Sequence, residues 1–124
     1  MVTNMATALI VEDVQTDLLI LTSYLESIGC RVVATTDGEA ALNHLITNKP
    51  DIVFLDVVLP GRSGFEICRA IKSQSETQEI PVVMCSTKNT DLDRFWGLKQ
   101  GADMYLVKPL DRSDLLAAFK KLVN

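Results

Sequence analysis

Five short apolar runs alternate with five segments that have the period of an amphipathic helix, and this alternation strongly constrains the fold. The third run, Ile52-Val-Phe-Leu55, lies between Pro50 and Pro60-Gly61 and contains no polar residue. A run with two apolar faces is typical of a strand buried in a parallel sheet. The alternation therefore predicts an α/β fold with one parallel sheet, right-handed crossovers and helices on both faces. The predicted strands cover residues 6–11, 31–35, 52–55, 80–85 and 104–107.

The helices are predicted from apolar residues at three- and four-residue steps and from residues that suit helix ends. Ser63 and Glu66 have the spacing of a capping box, Asn89 or Thr90 is expected to cap the fourth helix, and Gly101 is expected to end it. The apolar residues that set these periods are Leu18, Leu21, Leu25 and Ile28 in the first helix, Ala41, Leu42, Leu45 and Ile46 in the second, and Leu92, Phe95, Trp96 and Leu98 in the fourth.

Four of the five predicted strands end at polar side chains: Glu12-Asp13, Asp56, Ser86-Thr87 and Lys108. In open α/β sheets the carboxyl ends of the strands form the ligand-binding edge, so these groups are expected to converge. Carboxylates about 4 Å apart repel by roughly 4 kcal/mol at an effective dielectric near 20, which predicts a cation, and Mg²⁺ suits carboxylate oxygens. The metal, the Lys108 ammonium and the Ser86 hydroxyl would stabilise a transferring phosphoryl group, which predicts phosphate on Asp56.

These motifs, together with Pro60-Gly61 and Lys108-Pro109, resemble the signature of the response-regulator receiver domain, the CheY-like family. The resemblance covers nearly the whole chain. It implies a flavodoxin-like (βα)5 fold with strand order 2-1-3-4-5, and Asp56 as the acceptor of a phosphoryl group from a histidine kinase. It further implies a signalling protein rather than an enzyme, whose only chemistry is its own phosphorylation and dephosphorylation.

The resemblance also implies the roles of individual residues. Asp13 and Asp56 would bind Mg²⁺ directly, Glu12 would act through water, and the backbone carbonyl of Val58 would be a further ligand. Lys108 would contact the phosphoryl oxygens, and its bond to Pro109 is expected to be cis.

Two further residues match the switch pair of the family. The hydroxyl of Ser86 would move toward the phosphate while the ring of Tyr105 turns inward. Ser86 and Thr87 replace the commoner Thr and Ala, so the switch hydroxyl is either that of Ser86 or shared with Thr87. The side chain of Val58 has no amide group that could bind a water, which predicts a phosphate lifetime of minutes or longer.

The segment from Asp93 to Gly101 resembles the PilH-like single-domain regulators of type IV pilus chemotaxis systems. Since no DNA-binding segment follows Val123, the expected output is contact with a downstream protein. Phe95 and Trp96 are adjacent, so at least one is predicted to be partly exposed. The expected partner surface is the fourth helix, the fifth strand and the fifth helix, bordered by Tyr105.

Composition excludes several classes of protein. The 124 residues fit one domain, predicted as residues 6–124 after a flexible segment at residues 1–5. A net charge of −4 argues against a nucleic-acid surface, and no apolar run reaches the roughly 18 residues of a membrane span. We expect a cytoplasmic monomer or weak dimer. Cys30, Cys68 and Cys85 share no C-x-x-C spacing and are predicted to be buried thiols.

Several alternatives remain open from the residues alone. An aspartyl-nucleophile phosphatase would need a second acid two residues after Asp56, where Val58 stands. A nucleotide-binding module would need a glycine-rich loop after the first strand, which this chain lacks. Within the receiver family, the chain could be a terminal regulator, a relay that passes phosphate to another histidine, or a receiver that works without phosphorylation.

Overall fold

The protein folds around a five-stranded parallel sheet in the order β2-β1-β3-β4-β5. The structure is a computed structural model that describes residues 5–123, so the expectations for residues 1–4 and Asn124 lie outside the described residues. The elements in chain order are β1 (Thr7–Val11), α1 (Gln15–Glu26), β2 (Arg31–Thr35), α2 (Gly38–Thr47), β3 (Ile52–Leu55), α3 (Gly64–Lys72), β4 (Val82–Ser86), α4 (Asp91–Lys99), β5 (Met104–Val107) and α5 (Arg112–Leu122). The predicted fold class and strand order are confirmed.

Two hydrophobic clusters cover the two faces of the sheet. One contains Ala41 and Leu45 of α2 and Ile67 and Ile71 of α3, packed on alternate residues of the central strands. The other contains Leu21 and Leu25 of α1 and Leu115 of α5 on the opposite face. All four residues of β3 are fully buried, as expected for a central strand between two helical layers.

Local sequence signals start and stop the helices. Ser63 and Glu66 form the predicted capping box, and Thr90, rather than Asn89, caps α4 in a second box with Asp93. Gly101 follows α4 with φ of +107°, a left-handed conformation that an L side chain rarely adopts. The two capping boxes fix where α3 and α4 begin, beside the edge of the sheet that carries the polar groups.

The structure corrects several expectations about apolar residues. Ile28 lies beyond the end of α1 and Ile46 is on the outer face of α2, and both are exposed. β4 begins at Val82 rather than Ile80. On α4 the large apolar residues point mostly to solvent, because the glycine Gly97 is the buried residue that faces the sheet. The exposed large apolar residues on α4 are Leu92, Phe95, Trp96 and Leu98, and the prediction that at least one of Phe95 and Trp96 is partly exposed is confirmed.

The three cysteines are buried and free, as predicted. Within the described residues, no helix is both long enough and apolar enough to cross a membrane.

Candidate functional site

The register of the sheet brings the ends of β1 and β3 side by side. Val11 pairs with Leu55, so the residues that follow them, Glu12 and Asp56, leave the same edge of the sheet together. The Asp56 amide donates to the Val11 carbonyl at 3.1 Å, which continues the ladder by one step. A backbone hydrogen bond therefore places the Asp56 carboxyl group beside the acids that follow β1.

Three carboxylates converge at this edge. Glu12, Asp13 and Asp56 each have a carboxylate oxygen within 4.8 Å of those of the other two. Glu12 and Asp56 are buried, whereas Asp13 is exposed. Hard oxygen donors at this spacing, with one side open to water, fit a divalent cation such as Mg²⁺, which keeps several waters when bound. The donor set thus fits the predicted metal.

Lys108 is the cation of the site. Its Nζ donates to Glu12 Oε1 at 2.5 Å and to Asp56 Oδ2 at 3.1 Å. Its backbone amide donates to the Ser86 carbonyl at 2.9 Å, which anchors the start of the side chain to the neighbouring strand. Although burial by itself would lower it, these acidic partners raise the pKa of Lys108. The bond to Pro109 is cis, as the resemblance implied.

Glu12 sits deepest in the cluster, with only 1% of its side chain exposed. Burial raises its pKa above the ordinary value, and the hydrogen bond from Lys108 partly offsets that effect. Its Oε2 accepts the Val14 amide at 3.1 Å. Glu12 therefore has both carboxylate oxygens engaged by the protein, which suits an indirect contact with a metal better than a direct one.

Asp56 is held by its own loop. Its Oδ1 accepts the Val58 amide at 3.2 Å, while the backbone carbonyl of Asp56 lies close beneath the start of α3. A Cβ added to Gly64 would overlap that carbonyl oxygen, so only glycine permits this approach. Gly64 also donates its amide to the Val57 carbonyl at 2.8 Å. The loop that carries Asp56 is thus held in close contact with the start of α3.

The other predicted site residues lie around this cluster. Ser86 is fully buried at the end of β4, and its hydroxyl oxygen accepts the Lys88 amide at 3.2 Å. Thr87 is exposed. The Tyr105 hydroxyl donates to the Lys88 carbonyl at 2.7 Å, and burial raises the pKa of its phenol. Tyr105 and Ser86 are therefore both linked to Lys88, the second residue of the β4–α4 loop.

Sequence reasoning missed one residue of the site. Asp17, in the first turn of α1, accepts a hydrogen bond from Lys108 Nζ at 2.9 Å. Asp17 lies in the first turn of the helix that follows Glu12-Asp13, so the sequence places it near this edge of the sheet but does not indicate its contact with Lys108. It is the third acidic partner of Lys108.

Known proteins are similar to this chain over nearly its full length. The family model for the response regulator receiver domain matches residues 8–120. Protein PilH of Pseudomonas aeruginosa is 40% identical over 112 residues, which are 90% of this chain and 93% of that protein.

Solved structures share the fold closely. The chemotaxis response regulator CheY4 of Vibrio cholerae has a TM-score of 0.89 and 28% identity, over 97% of this chain and 100% of that one. The receiver domain of the sensor histidine kinase PA1611 of Pseudomonas aeruginosa also has a TM-score of 0.89, with 26% identity over 96% and 98% of the two chains. That structure carries a magnesium ion coordinated in its active site cleft.

Proposed function

The chain belongs to the response regulator receiver family, and we propose that it is a PilH-like regulator that accepts a phosphoryl group on Asp56 from a histidine kinase. The observation that carries this proposal is the Asp56 carboxylate, buried at the end of β3, with Lys108 at 3.1 Å and two further acids beside it. This arrangement combines a nucleophile, a fixed cation and a metal-competent pocket.

In the proposed reaction, an Asp56 carboxylate oxygen attacks the phosphorus of a phosphohistidine. The P–N bond breaks, its electron pair leaves with the imidazole, and that nitrogen takes a proton from solvent. Lys108 stabilises the negative charge that spreads over the phosphoryl oxygens. Asp13 and Asp56, with the Val58 carbonyl, would hold Mg²⁺, and Glu12 would hold it through water. The bound ion would neutralise further charge on the phosphoryl group.

The remaining site residues have proposed roles in switching. The Ser86 hydroxyl would donate to a phosphoryl oxygen in place of its present local contact, and the exposed Thr87 would share that role at most from the rim. Since Ser86 and Tyr105 both contact Lys88, movement of the β4–α4 loop toward the phosphate would change the position of the Tyr105 ring. This link supports the assignment of the two residues as a switch pair.

The proposed output surface is α4, β5 and α5, where a downstream protein would bind. Four large apolar side chains exposed on the short helix α4 support this assignment, because exposed apolar surface concentrated in one place is typical of a protein-binding surface. Phosphotransfer from an ATP-dependent kinase would place the protein in the cytoplasm. The same site would also promote hydrolysis of the phosphate from Asp56.

Incubation with Mg²⁺ and acetyl phosphate, followed by intact-mass measurement, tests the phosphorylation site. We expect the wild type to gain one phosphoryl mass and Asp56→Ala to gain none. Asp51→Ala is the matched control, since Asp51 is an exposed acid at the opposite end of β3. A gain in both wild type and Asp56→Ala, or in neither, would contradict the proposal.

A further inference from the structure

Lys108 is shared by three carboxylates from three different segments. Its Nζ lies 2.5 Å from Glu12 after β1, 3.1 Å from Asp56 after β3 and 2.9 Å from Asp17 on α1. Only 7% of the Lys108 side chain is exposed, so its ammonium depends on these partners rather than on water. The position of the ammonium is therefore set by competition among the three acids.

Asp17 differs from the other two partners in what else can bind it. Glu12 and Asp56 belong to the group of acids, with Asp13, whose oxygens are close enough to share a cation, and Asp17 lies outside that group. Asp17 instead borders a small cavity with Tyr24, Pro109 and Leu110, between α1 and the loop after β5. A cation bound by Glu12 and Asp56 would weaken their attraction for Lys108. The attraction between Asp17 and Lys108 would be unchanged.

We propose that Asp17 is a positioning residue that holds the Lys108 ammonium on the α1 side of the pocket and opposes its transfer to a phosphoryl group on Asp56. The proposal rests on the proposed phosphorylation of Asp56. Asp17 would therefore disfavour the phosphorylated state. The ion pair between Asp17 and Lys108 must weaken before Lys108 can contact the phosphoryl oxygens fully.

The first test observes the Lys108 ammonium directly by ¹H–¹⁵N NMR of the lysine side chains at mildly acidic pH. In the metal-free wild type we expect one exchange-protected signal, assigned by its loss in Lys108→Met, and we expect it to persist at saturating Mg²⁺. In Asp17→Asn the signal should disappear when Mg²⁺ is added. Glu26→Gln, an exposed acid at the other end of α1, is the control and should behave as wild type.

A protected signal that survives Mg²⁺ in Asp17→Asn would overturn the proposal, as would its loss from the wild type or its absence without metal. Backbone spectra report whether each variant is folded, and Asp17→Ser replaces Asp17→Asn if the latter is not. This readout does not depend on phosphotransfer. A failure of acetyl phosphate to modify Asp56 would therefore contradict the proposed function separately.

The second test measures binding of beryllofluoride, a phosphoryl analogue, by calorimetry at saturating Mg²⁺. Asp17→Asn should bind it about two- to fivefold more tightly than wild type, the range expected from losing one partly exposed ion pair. In a Lys108→Met background, Asp17→Asn should change the affinity for beryllofluoride by a smaller factor than it does in the wild-type background. Equal effects in both backgrounds would show a general charge effect and would overturn the proposal.

Discussion

Lys108 Nζ reaches Asp56 Oδ2 at 3.1 Å, although the strands that carry the two residues are not neighbours. β4 lies between β3 and β5, so the lysine side chain spans one whole strand at the edge of the sheet. The contact forms because both residues directly follow their strands and because parallel strands end at the same edge. It is also nearly dry, with 7% of the lysine side chain and 6% of the aspartate side chain exposed.

Replacement of Lys108 with Met should destabilise the metal-free protein by about 3 kcal/mol, because it leaves Glu12 and Asp56 buried without a cation. Mg²⁺ should restore more stability to this variant than it adds to the wild type, since it supplies the missing charge. Denaturant unfolding with and without Mg²⁺ measures both effects. Lys120→Met, an exposed lysine on α5, is the control, and a loss no greater than its own would contradict the prediction.

Replacement of Gly64 with Ala should cost about 2 kcal/mol of unfolding free energy, because the new methyl group would overlap the Asp56 backbone carbonyl. The loop that carries Asp56 must then move, so the rate of phosphorylation by acetyl phosphate should fall as well. Arg62→Ala, two residues earlier and paired only at the surface, should change stability by less than about 0.5 kcal/mol. Equal stability and phosphorylation rate in Gly64→Ala and Arg62→Ala would contradict the prediction.

Replacement of Gly97 with Ala should move the ring of Tyr105. A Cβ at this position on α4 would lie 2.9 Å from Tyr105 Cδ2 and 3.1 Å from Met84 Sδ. Because alanine also favours the helix by about 1 kcal/mol, the net change in stability should be small. NMR shifts of the Tyr105 ring measure the movement, with the Tyr24 ring as internal control. Unchanged Tyr105 shifts in the folded variant would show that the ring position does not depend on Gly97.

The cysteine thiols should react slowly with a disulfide reagent at pH 8. Burial raises the pKa of Cys68 to about 11 and also raises those of Cys30 and Cys85, so the reactive thiolate is scarce at that pH. Raising the pH should increase the thiolate fraction of Cys68 steadily until the pH reaches about 11, above which the increase should level off. Protein in denaturant at the same pH should react at once at all three thiols. Equally fast reaction of the native protein would refute the assignment of buried thiols.

Replacement of Val58 with Asn should shorten the lifetime of the phosphate on Asp56. Val58 is exposed two residues after Asp56, and its apolar side chain cannot orient an attacking water as an amide could. Acid-urea gels that follow decay after removal of acetyl phosphate should give minutes or longer for the wild type. Val58→Leu should keep the wild-type lifetime. Decay of the wild type within seconds would contradict the prediction.

Much of the architecture follows from short-range sequence signals. The apolar run from Ile52 to Leu55 predicted a buried strand with the correct bounds, and the Ser63 capping box predicted the start of α3. These signals succeed because a strand that lies between two helical layers must be apolar on both faces, and because a helix start must satisfy its own amides. The strand ends also predicted that polar residues meet at one edge, and the structure brings Glu12, Asp13, Asp56 and Lys108 together there.

Signals that depend on packing between elements were less reliable. Apolar residues such as Ile46 and Trp96 fit a helical period yet are exposed, because periodicity does not show which face of a helix meets the sheet. On α4 it is Gly97 that meets the sheet, which no hydrophobic pattern could indicate. Asp17 was missed for a related reason, since only the folded chain brings its carboxylate to a lysine 91 residues away.

The sequence by itself therefore determined the class of fold, the strand order through its resemblance, and the residue types gathered at one edge. Only the tertiary structure decided that the Lys108 ammonium forms ion pairs with Glu12, Asp17 and Asp56, because these pairs depend on distances between side chains from separate elements. Coulombic attraction changes steeply over such short distances when water is excluded. The residues at the strand ends predicted the chemistry of the site. The ion pairs that Lys108 forms depend on how α1 packs beside the loop after β5.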